Sequence, residues 1–541
     1  MGMTAAADDL GAYELGADDL VEVARELEAD GQLQDAATYW GRAAAARPGD
    51  DAILRALTGV LVRLARAGEA VEACRRAVAG GSVSTYPWRE RAVISYVYLN
   101  DPAGAAESLR EALASHPHDA QAHLLMATLA YQTQDFDLAR EHGQRALETA
   151  DDDVALQVRQ RILGDFEGAV SVGRRLLLQR PTDVDVLVLC GLSLHLMGRL
   201  DEAVGFYYRA AEHAPYRGDV IFPLADALIL LGDHRAGWRR FGAVGDEAML
   251  RTNLPAATPY LDRFWRGEPL AGKRIFILPY VGLGDSLMYA RYARDLKAAG
   301  AHVTWCCRPE LQRLFADLGG SDVVTSDGQL EALGDYDHWC LDLLLPGRFG
   351  AGEGRIPTWP EGYLKVPAET GAISLPDRGN GRLQVGLCWK TSPSHYLRNA
   401  RSLSPEDLRP LARIADVDWH VLQKWPVEPD FAARSGLAIR DTSHEWADFH
   451  DSAVFAGGLD LTISICSAPV HLAGALGLPA WAMIADPPEW RWGRQGDRAP
   501  WYPQARVFRQ TARGDWLSVT EAVARAFETE RGALEAQRTR L

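Results

Sequence analysis

A pattern of small residues recurs along the first half of the chain at a spacing of about 34 residues, and nothing else constrains the fold as strongly. Ala24, Ala36, Trp40, Ala43 and Pro48 set a template that Thr58, Ala70, Cys74 and Ala77 repeat. It returns at Val93, Ala105, Leu109, Ala112 and Pro117, and again at Ala127, Ala139 and Ala146. A compressed copy ends at Ala169 and Pro181. The clearest copy is Gly191, Gly198, Ala203, Tyr207, Ala210 and Pro215, and a divergent one runs through Ala225, Gly232 and Gly237. Small residues at fixed spacing suit two closely packed antiparallel helices, with larger apolar residues between them and Pro closing the second helix. About seven such pairs are expected over residues 17–245, behind a tail of residues 1–16. A helical bundle without repeats would match in places through its alanines, but not in one register.

This pattern resembles the tetratricopeptide repeat, which implies an α-helical superhelix whose concave face binds extended segments of other proteins. Residues 1–250 carry 38 acids against 24 arginines and no lysine, so nearly all of the net charge of −16 belongs to the repeats. Such a balance argues against a general nucleic-acid or anionic-membrane partner. Two readings of the acidity stand: a groove suited to basic or hydroxyl- and amide-rich protein segments, or charge that keeps an alanine-rich solenoid soluble. No apolar run is long enough to span a bilayer and no basic segment precedes Asp8 and Asp9, so a cytoplasmic protein is expected. Seven scattered cysteines without a C-x-x-C read as reduced core thiols rather than a disulfide framework or zinc site.

Beyond a linker at 246–272 that contains Pro255, Pro259 and Pro269, the pattern changes to short apolar strands followed by amphipathic helices. A first α/β unit is expected over 273–380, a second over 381–515, and a C-terminal helix over 516–541. In the first, strand 273–279 leads through a glycine turn to a helix 286–299 and a strand 301–306. In the second, strands are expected at 383–389, 418–423, 437–440 and 460–465, and helices at 405–414, 446–456 and 470–476. Two Rossmann-like units of this kind imply a cleft at the carboxyl ends of their strands.

Several residues fall at those ends. The turn Gly282-Leu-Gly284 permits close backbone approach, and Asp285 after it is either a helix N-cap or a base able to take a proton from an attacking hydroxyl. Cys466, Ser467 and Ala468 lead into a helix start suited to a phosphate, where Ser467 would add a hydroxyl; His471 is either a further donor or a structural hydrogen bonder. Only five lysines stand against 52 arginines, and two of the five, Lys390 and Lys424, follow strands of the second unit. Facing the cleft, they would act as phosphate-binding charges, with Arg398 and Arg401 either joining them or lying solvated in their loop. Asp335-Tyr-Asp337 has the Asp-x-Asp form of metal-dependent transferases but lies away from these loops and reads as a solvated turn; no metal is called for.

Taken together, Gly282-Leu-Gly-Asp-Ser286, Val385-Gly-Leu-Cys-Trp-Lys390, Arg401-Ser-Leu403, Gln423-Lys424, the stretch from Asp460 to Gly477, Trp490-Arg-Trp492 and Pro500-Trp-Tyr-Pro503 resemble bacterial tetratricopeptide-repeat glycosyltransferases. That group is related to the lipopolysaccharide heptosyltransferases and, more distantly, to the O-linked N-acetylglucosamine transferases, and includes enzymes that glycosylate flagellin. The resemblance implies a GT-B fold with the acceptor on the first unit and a nucleotide-sugar co-substrate on the second. It implies Asp285 as base and His471 in contact with the donor, and no further cofactor; Lys390, Arg398, Arg401, Gln423, Lys424 and Ser467 are expected on the donor beside His471 from their places after the strands. The acceptor it implies is a protein held by the repeats, flagellin among the candidates. Relatives often carry Asp-Thr-Ala where this chain has Cys466-Ser-Ala468, so a carboxylate is missing. A transferase acting on a lipid or polysaccharide, or a scaffold without activity, are the alternatives.

Overall fold

The computed structural model describes residues 15–133, 135–326, 328, 334–368, 373–392 and 398–538, without the side chains of residues 398, 399, 537 and 538. The expected tail 1–16 and the side chain of Arg398 therefore lie almost wholly outside the described residues. The chain divides into two compact units, Met1–Pro181 and Thr182–Leu541. That division falls inside the repeats rather than after residue 245.

The first unit is a series of helix hairpins. Ala17–Ala29 pairs with Leu33–Ala46, Asp51–Arg63 with Ala67–Ala79, Tyr86–Val97 with Pro102–Ser115, and Ala120–Gln132 with Phe136–Thr149. In the compressed copy, Asp152–Gln157 widens into a π-helical turn, Val158–Leu163, before Phe166–Gln179. The template residues Ala24, Ala36, Ala43, Thr58, Ala70 and Cys74 are all fully buried, as close helix pairing requires. One register differs. The turn of the third hairpin, residues 98–101, is a residue longer than the others and places Asn100 at a left-handed φ of 51°. The small buried position of that hairpin is consequently Ala92, whereas Val93 is only half-buried.

The acidity of this unit has a structural use. Asp50, Asp101, Asp119, Asp135, Asp151 and Asp165 each cap a helix by accepting backbone N–H groups in its first turn. Other acids pair with arginines, as in Arg47–Asp18, Arg63–Glu28 and Arg180–Asp153. Much of the charge is thus placed by helix starts, where a carboxylate satisfies orphan N–H groups and the helix dipole.

The second unit opens with two more hairpins, Val184–Leu196 with Leu200–His213 and Gly218–Leu230 with His234–Gly242. Gly191 leaves no room for a side chain: a Cβ there would lie 2.5 Å from the Tyr207 ring. Two sheets follow. Strands β1 (Arg274–Leu278), β2 (His302–Cys306), β3 (Val323–Thr325) and β4 (His338–Leu341) are parallel in the order β3-β2-β1-β4. The second sheet holds β5 (Leu383–Cys388), β6 (Val417–Val421), β7 (Ile439–Arg440), β8 (Leu461–Ile465), β9 (Ala480–Ile484), β10 (Arg498–Ala499) and β11 (Tyr502–Arg509), in the order β10-β11-β9-β8-β5-β6-β7. All are parallel but the edge strand β10, and the parallel strands, numbered as they appear in the chain, run 3-2-1-4-5-6 across the sheet. Both sheets are doubly wound. Their order reverses between β1 and β4 and between β5 and β8, and ligand crevices form at such points.

Several elements differ from the sequence expectation. The helix expected at 286–299 begins at Leu283 and is broken at residues 290–292. Residues Pro405–Arg413 form only 3-10 turns, since Pro410 in their middle has no N–H to donate. The helix expected from Trp446 starts at Phe449, where Asp448 caps it by accepting from His450 and Asp451 N–H. Strands β3, β4, β9, β10 and β11 were not anticipated; Ala480-Trp-Ala-Met-Ile484 has a mixed local preference and becomes a strand by pairing with β8 and β11. All seven cysteines are buried, in agreement with core thiols.

Two substitutions test the repeat packing. Gly191→Ala should lower stability by roughly 1–3 kcal/mol through overpacking against Tyr207, and Asp50→Ala by about 1 kcal/mol through loss of a cap, both read as shifts of the urea midpoint.

Candidate functional site

The carboxyl ends of the two sheets face a cleft of about 550 Å³. Leu283, Gly284, Asp285 and Glu310 line it from the first sheet, and Lys390, Lys424, Ser467 and His471 from the second. At its floor helix Leu283–Tyr289 packs against helix Ala468–Ala475. The approach is close: a Cβ on Gly284 would stand 3.0 Å from His471 Cδ2 and 3.6 Å from Ala468 Cα. Gly284 and Ala468 are small because the two helix starts touch there; Gly282 is the residue before the first helix and is exposed.

Asp285 is neither an N-cap nor a solitary carboxylate. Arg491 Nε donates to its Oδ1 at 2.7 Å, a second nitrogen of the same guanidinium approaches that oxygen, and Arg491 Nη1 donates to Glu489 Oε2 at 3.0 Å. Glu489 in turn accepts from Arg401 Nη1 at 2.6 Å and from Cys466 Sγ at 3.2 Å, while Arg401 also bonds the Cys466 carbonyl. Two carboxylates and two guanidiniums thus form a charge-balanced chain along the cleft floor. Burial raises the Asp285 pKa and the Arg491 charge opposes that rise. Burial also pushes the Cys466 thiol up to about 12, so it sits there as a neutral donor. Glu489 thereby places a carboxylate directly beside Cys466.

Of the other anticipated residues, Lys390, Lys424, Arg401, Gln423, Ser467 and His471 all line the cleft. Lys390 Nζ is paired with Glu428, and Lys424 Nζ donates to the carbonyls of Ser443 and Trp446, so each lysine charge already has a partner. His471 is buried, its Nδ1 3.0 Å from the Tyr502 hydroxyl, and burial lowers its pKa to about 3; it is a neutral ring wedged at the helix crossing. Gln423 holds the loop instead of presenting a free amide oxygen, because its Oε1 accepts from Trp389 N–H at 3.2 Å and Lys390 N–H at 3.0 Å. Asp337 accepts from the Arg274 backbone at 2.8 Å, at the start of β1 and so at the opposite end of the strands from the cleft.

Sequence reasoning missed Asp342, Glu489 and Arg491. Asp342 follows β4, is 1% exposed, and accepts from Tyr280 N–H at 3.0 Å, Leu343 N–H at 2.7 Å and Ser286 Oγ at 3.2 Å. It ties the ends of β1 and β4 to the helix that carries Asp285. Arg491 lies in the Trp490-Arg-Trp492 block, and its position between two tryptophans was the available signal. Trp490 itself is anchored on the last repeat: its N–H donates to Asp226 Oδ1 at 2.7 Å, and its ring meets those of Trp238, Phe241 and Trp501 at 5.2–5.8 Å. Among the described residues one cluster, Asp448, His450 and Asp451, has the spacing of metal ligands, and the Arg313 guanidinium lies among them at 3.1–3.2 Å.

A tetratricopeptide repeat family model matches residues 91–154. Protein FlbA of Caulobacter vibrioides is 27% identical over 334 residues, which is 56% of this chain and 54% of that protein. The chain thus spans about half the length of the curated relative it matches. Among solved structures, a tetratricopeptide repeat protein from Parabacteroides merdae aligns at 16% identity with a TM-score of 0.33, covering 46% of this chain and 97% of its own. A thermophilic tetratricopeptide repeat protein from Thermus thermophilus aligns at 21% identity with a TM-score of 0.25, covering 40% of this chain and 100% of its own. No helix among the described residues is long and apolar enough to cross a membrane.

Asp342 gives the site a pH signature. Burial without a cationic partner raises its pKa to about 7, so between the ordinary value of 3.8 and about 7 the folded chain holds a proton that the unfolded chain has lost. Stability from this group is present at low pH and is lost as pH rises through that window. Asp342→Asn keeps the accepted N–H bonds without the titration. Its stability relative to wild type should rise with pH by up to ~1.4 kcal/mol per unit and level off above pH 7, measured by urea denaturation from pH 4 to 8.

Proposed function

We propose that the protein is a glycosyltransferase with a GT-B-like arrangement of its two sheets, transferring a sugar from a nucleotide-sugar to serine or threonine hydroxyls of a protein acceptor. The observation that carries this reading is a carboxylate, Asp285, held at the floor of a cleft between two doubly wound sheets in a chain that also carries tetratricopeptide repeats. The motif blocks that line this cleft are those on which the resemblance to repeat-bearing transferases rests, and flagellin is the acceptor that resemblance favours.

In the reaction the acceptor hydroxyl gives its proton to Asp285 as its oxygen bonds to the anomeric carbon. The bond from that carbon to the phosphate oxygen breaks, and the electron pair leaves with the nucleoside phosphate. The developing charge is met by the guanidiniums of Arg491 and Arg401 and by the start of helix Ala468–Ala475. Preformed cations in a partly water-excluded cleft stabilise that charge more than solvent would.

Co-expression with flagellin and a sugar-nucleotide pathway tests the proposal by intact-protein mass. Wild-type protein should add sugar mass to flagellin, and Asp285→Asn should lower the rate by roughly 10²–10⁴-fold. An unmodified flagellin that nevertheless co-purifies with the wild-type chain would sink the reading. Removal of residues 1–181, where the packing divides, separates acceptor classes: a glycan acceptor would still be modified and a repeat-held protein would not.

A further inference from the structure

Arg491 is shared unequally between its two carboxylates. If it withdrew, Glu489 would keep Arg401 at 2.6 Å and the Cys466 thiol at 3.2 Å. Asp285 would keep nothing, because among the described residues its carboxylate takes hydrogen bonds from Arg491 alone. The backbone beside Arg491 is fixed by the Asp226 bond to Trp490 N–H and by the packing of the Trp490 ring among Trp238, Phe241 and Trp501. Movement of the guanidinium therefore falls to the Arg491 side chain, which lies over the Trp490 ring at 4.6 Å and can slide on it without losing that contact. A phosphate competes well for such a group, since it offers several anionic oxygens to the planar fork where Asp285 offers one.

We propose that Arg491 is a ligand-operated clamp on Asp285: it neutralises the carboxylate until a phosphate group of the donor takes over its guanidinium, and Asp285 becomes the proton acceptor only then. The proposal rests on reading the cleft as a nucleotide-sugar site. It orders the reaction. Donor phosphate draws Arg491 away, Asp285 loses the positive charge that opposed the effect of its burial, and its affinity for the acceptor's proton rises. The same guanidinium is then in place for the negative charge that leaves with the phosphate.

Calorimetric titration of the full chain with inorganic pyrophosphate tests the clamp, because anion and carboxylate would compete for one cation. Arg491→Gln should weaken pyrophosphate binding at least tenfold. Asp285→Asn, which removes the competitor, should tighten it about tenfold, as linkage between the two requires. Wild-type binding that Asp285→Asn leaves unchanged or weakens would overturn the clamp while leaving the donor site standing. Failure of the wild-type chain to bind pyrophosphate would overturn both. Should Arg491→Gln not fold, as judged by its melting curve, the Asp285→Asn arm decides alone.

Discussion

A single buried cation holds the second unit's site together. Arg291, 1% exposed, follows the helix that carries Asp285. Its guanidinium donates to the carbonyls of Met288, Pro357 and Trp501 at 2.8–3.0 Å and lies over the rings of Tyr363, Trp501 and Tyr502 at 4.9–5.2 Å. A charge removed from water costs several kcal/mol unless its donors are satisfied, and here carbonyls from three separate stretches of chain do so. The segment after the first sheet and the segment before β11 are thereby fixed to one point. Tyr363 passes the order on by donating to the Leu287 carbonyl at 2.9 Å, and Tyr502 does so through His471. The crossing of the two short helices at the cleft floor is then determined, and with it the place of Asp285.

Around that point the cleft floor is built from charges that satisfy one another. The chain Asp285–Arg491–Glu489–Arg401 has no net charge, which limits the penalty of partial burial, and Cys466 contributes a neutral thiol where another anion would have unbalanced it. An anion entering a site arranged in this way would have to rearrange existing pairs, so its affinity would be set by how cheaply one pair is exchanged for another, and not by an exposed positive patch.

How much of this could be read from the sequence depends on the range of the interactions. The hairpins were legible because their packing is local and recurs, so that Ala24, Ala36 and Ala43 report one contact repeated along the chain; the single slip, at Val93, came from one extra residue in a turn. Strands β1, β2 and β5–β8 were legible as apolar runs, but β3, β4 and β9–β11 were not; in β9, alanine and methionine say little without neighbours. Asp285, Ser467 and His471 were placed near the cleft by their position after strands. Their partners were not. Arg491 and Glu489 lie in a tryptophan-rich stretch without period, and Asp342 and Arg291 act across more than fifty residues of sequence. The lysines misled in part, because scarcity marks a residue as special without saying what it binds: Lys424 is used on carbonyls of the segment after β7.

The place where the packing divides has a consequence for how such a chain can vary. The hairpins before Pro181 form a unit of their own, in which a repeat added or lost by duplication or deletion changes only the length of a stack. The last hairpin has no such freedom. Asp226 and Trp238 belong at once to a repeat and to the support of the cleft, so an insertion among them would shift Trp490 and the charges on either side of it. The length of the repeat stack and the packing at the cleft can therefore diverge independently along this chain, provided that change in the repeats is confined to the part upstream of Pro181.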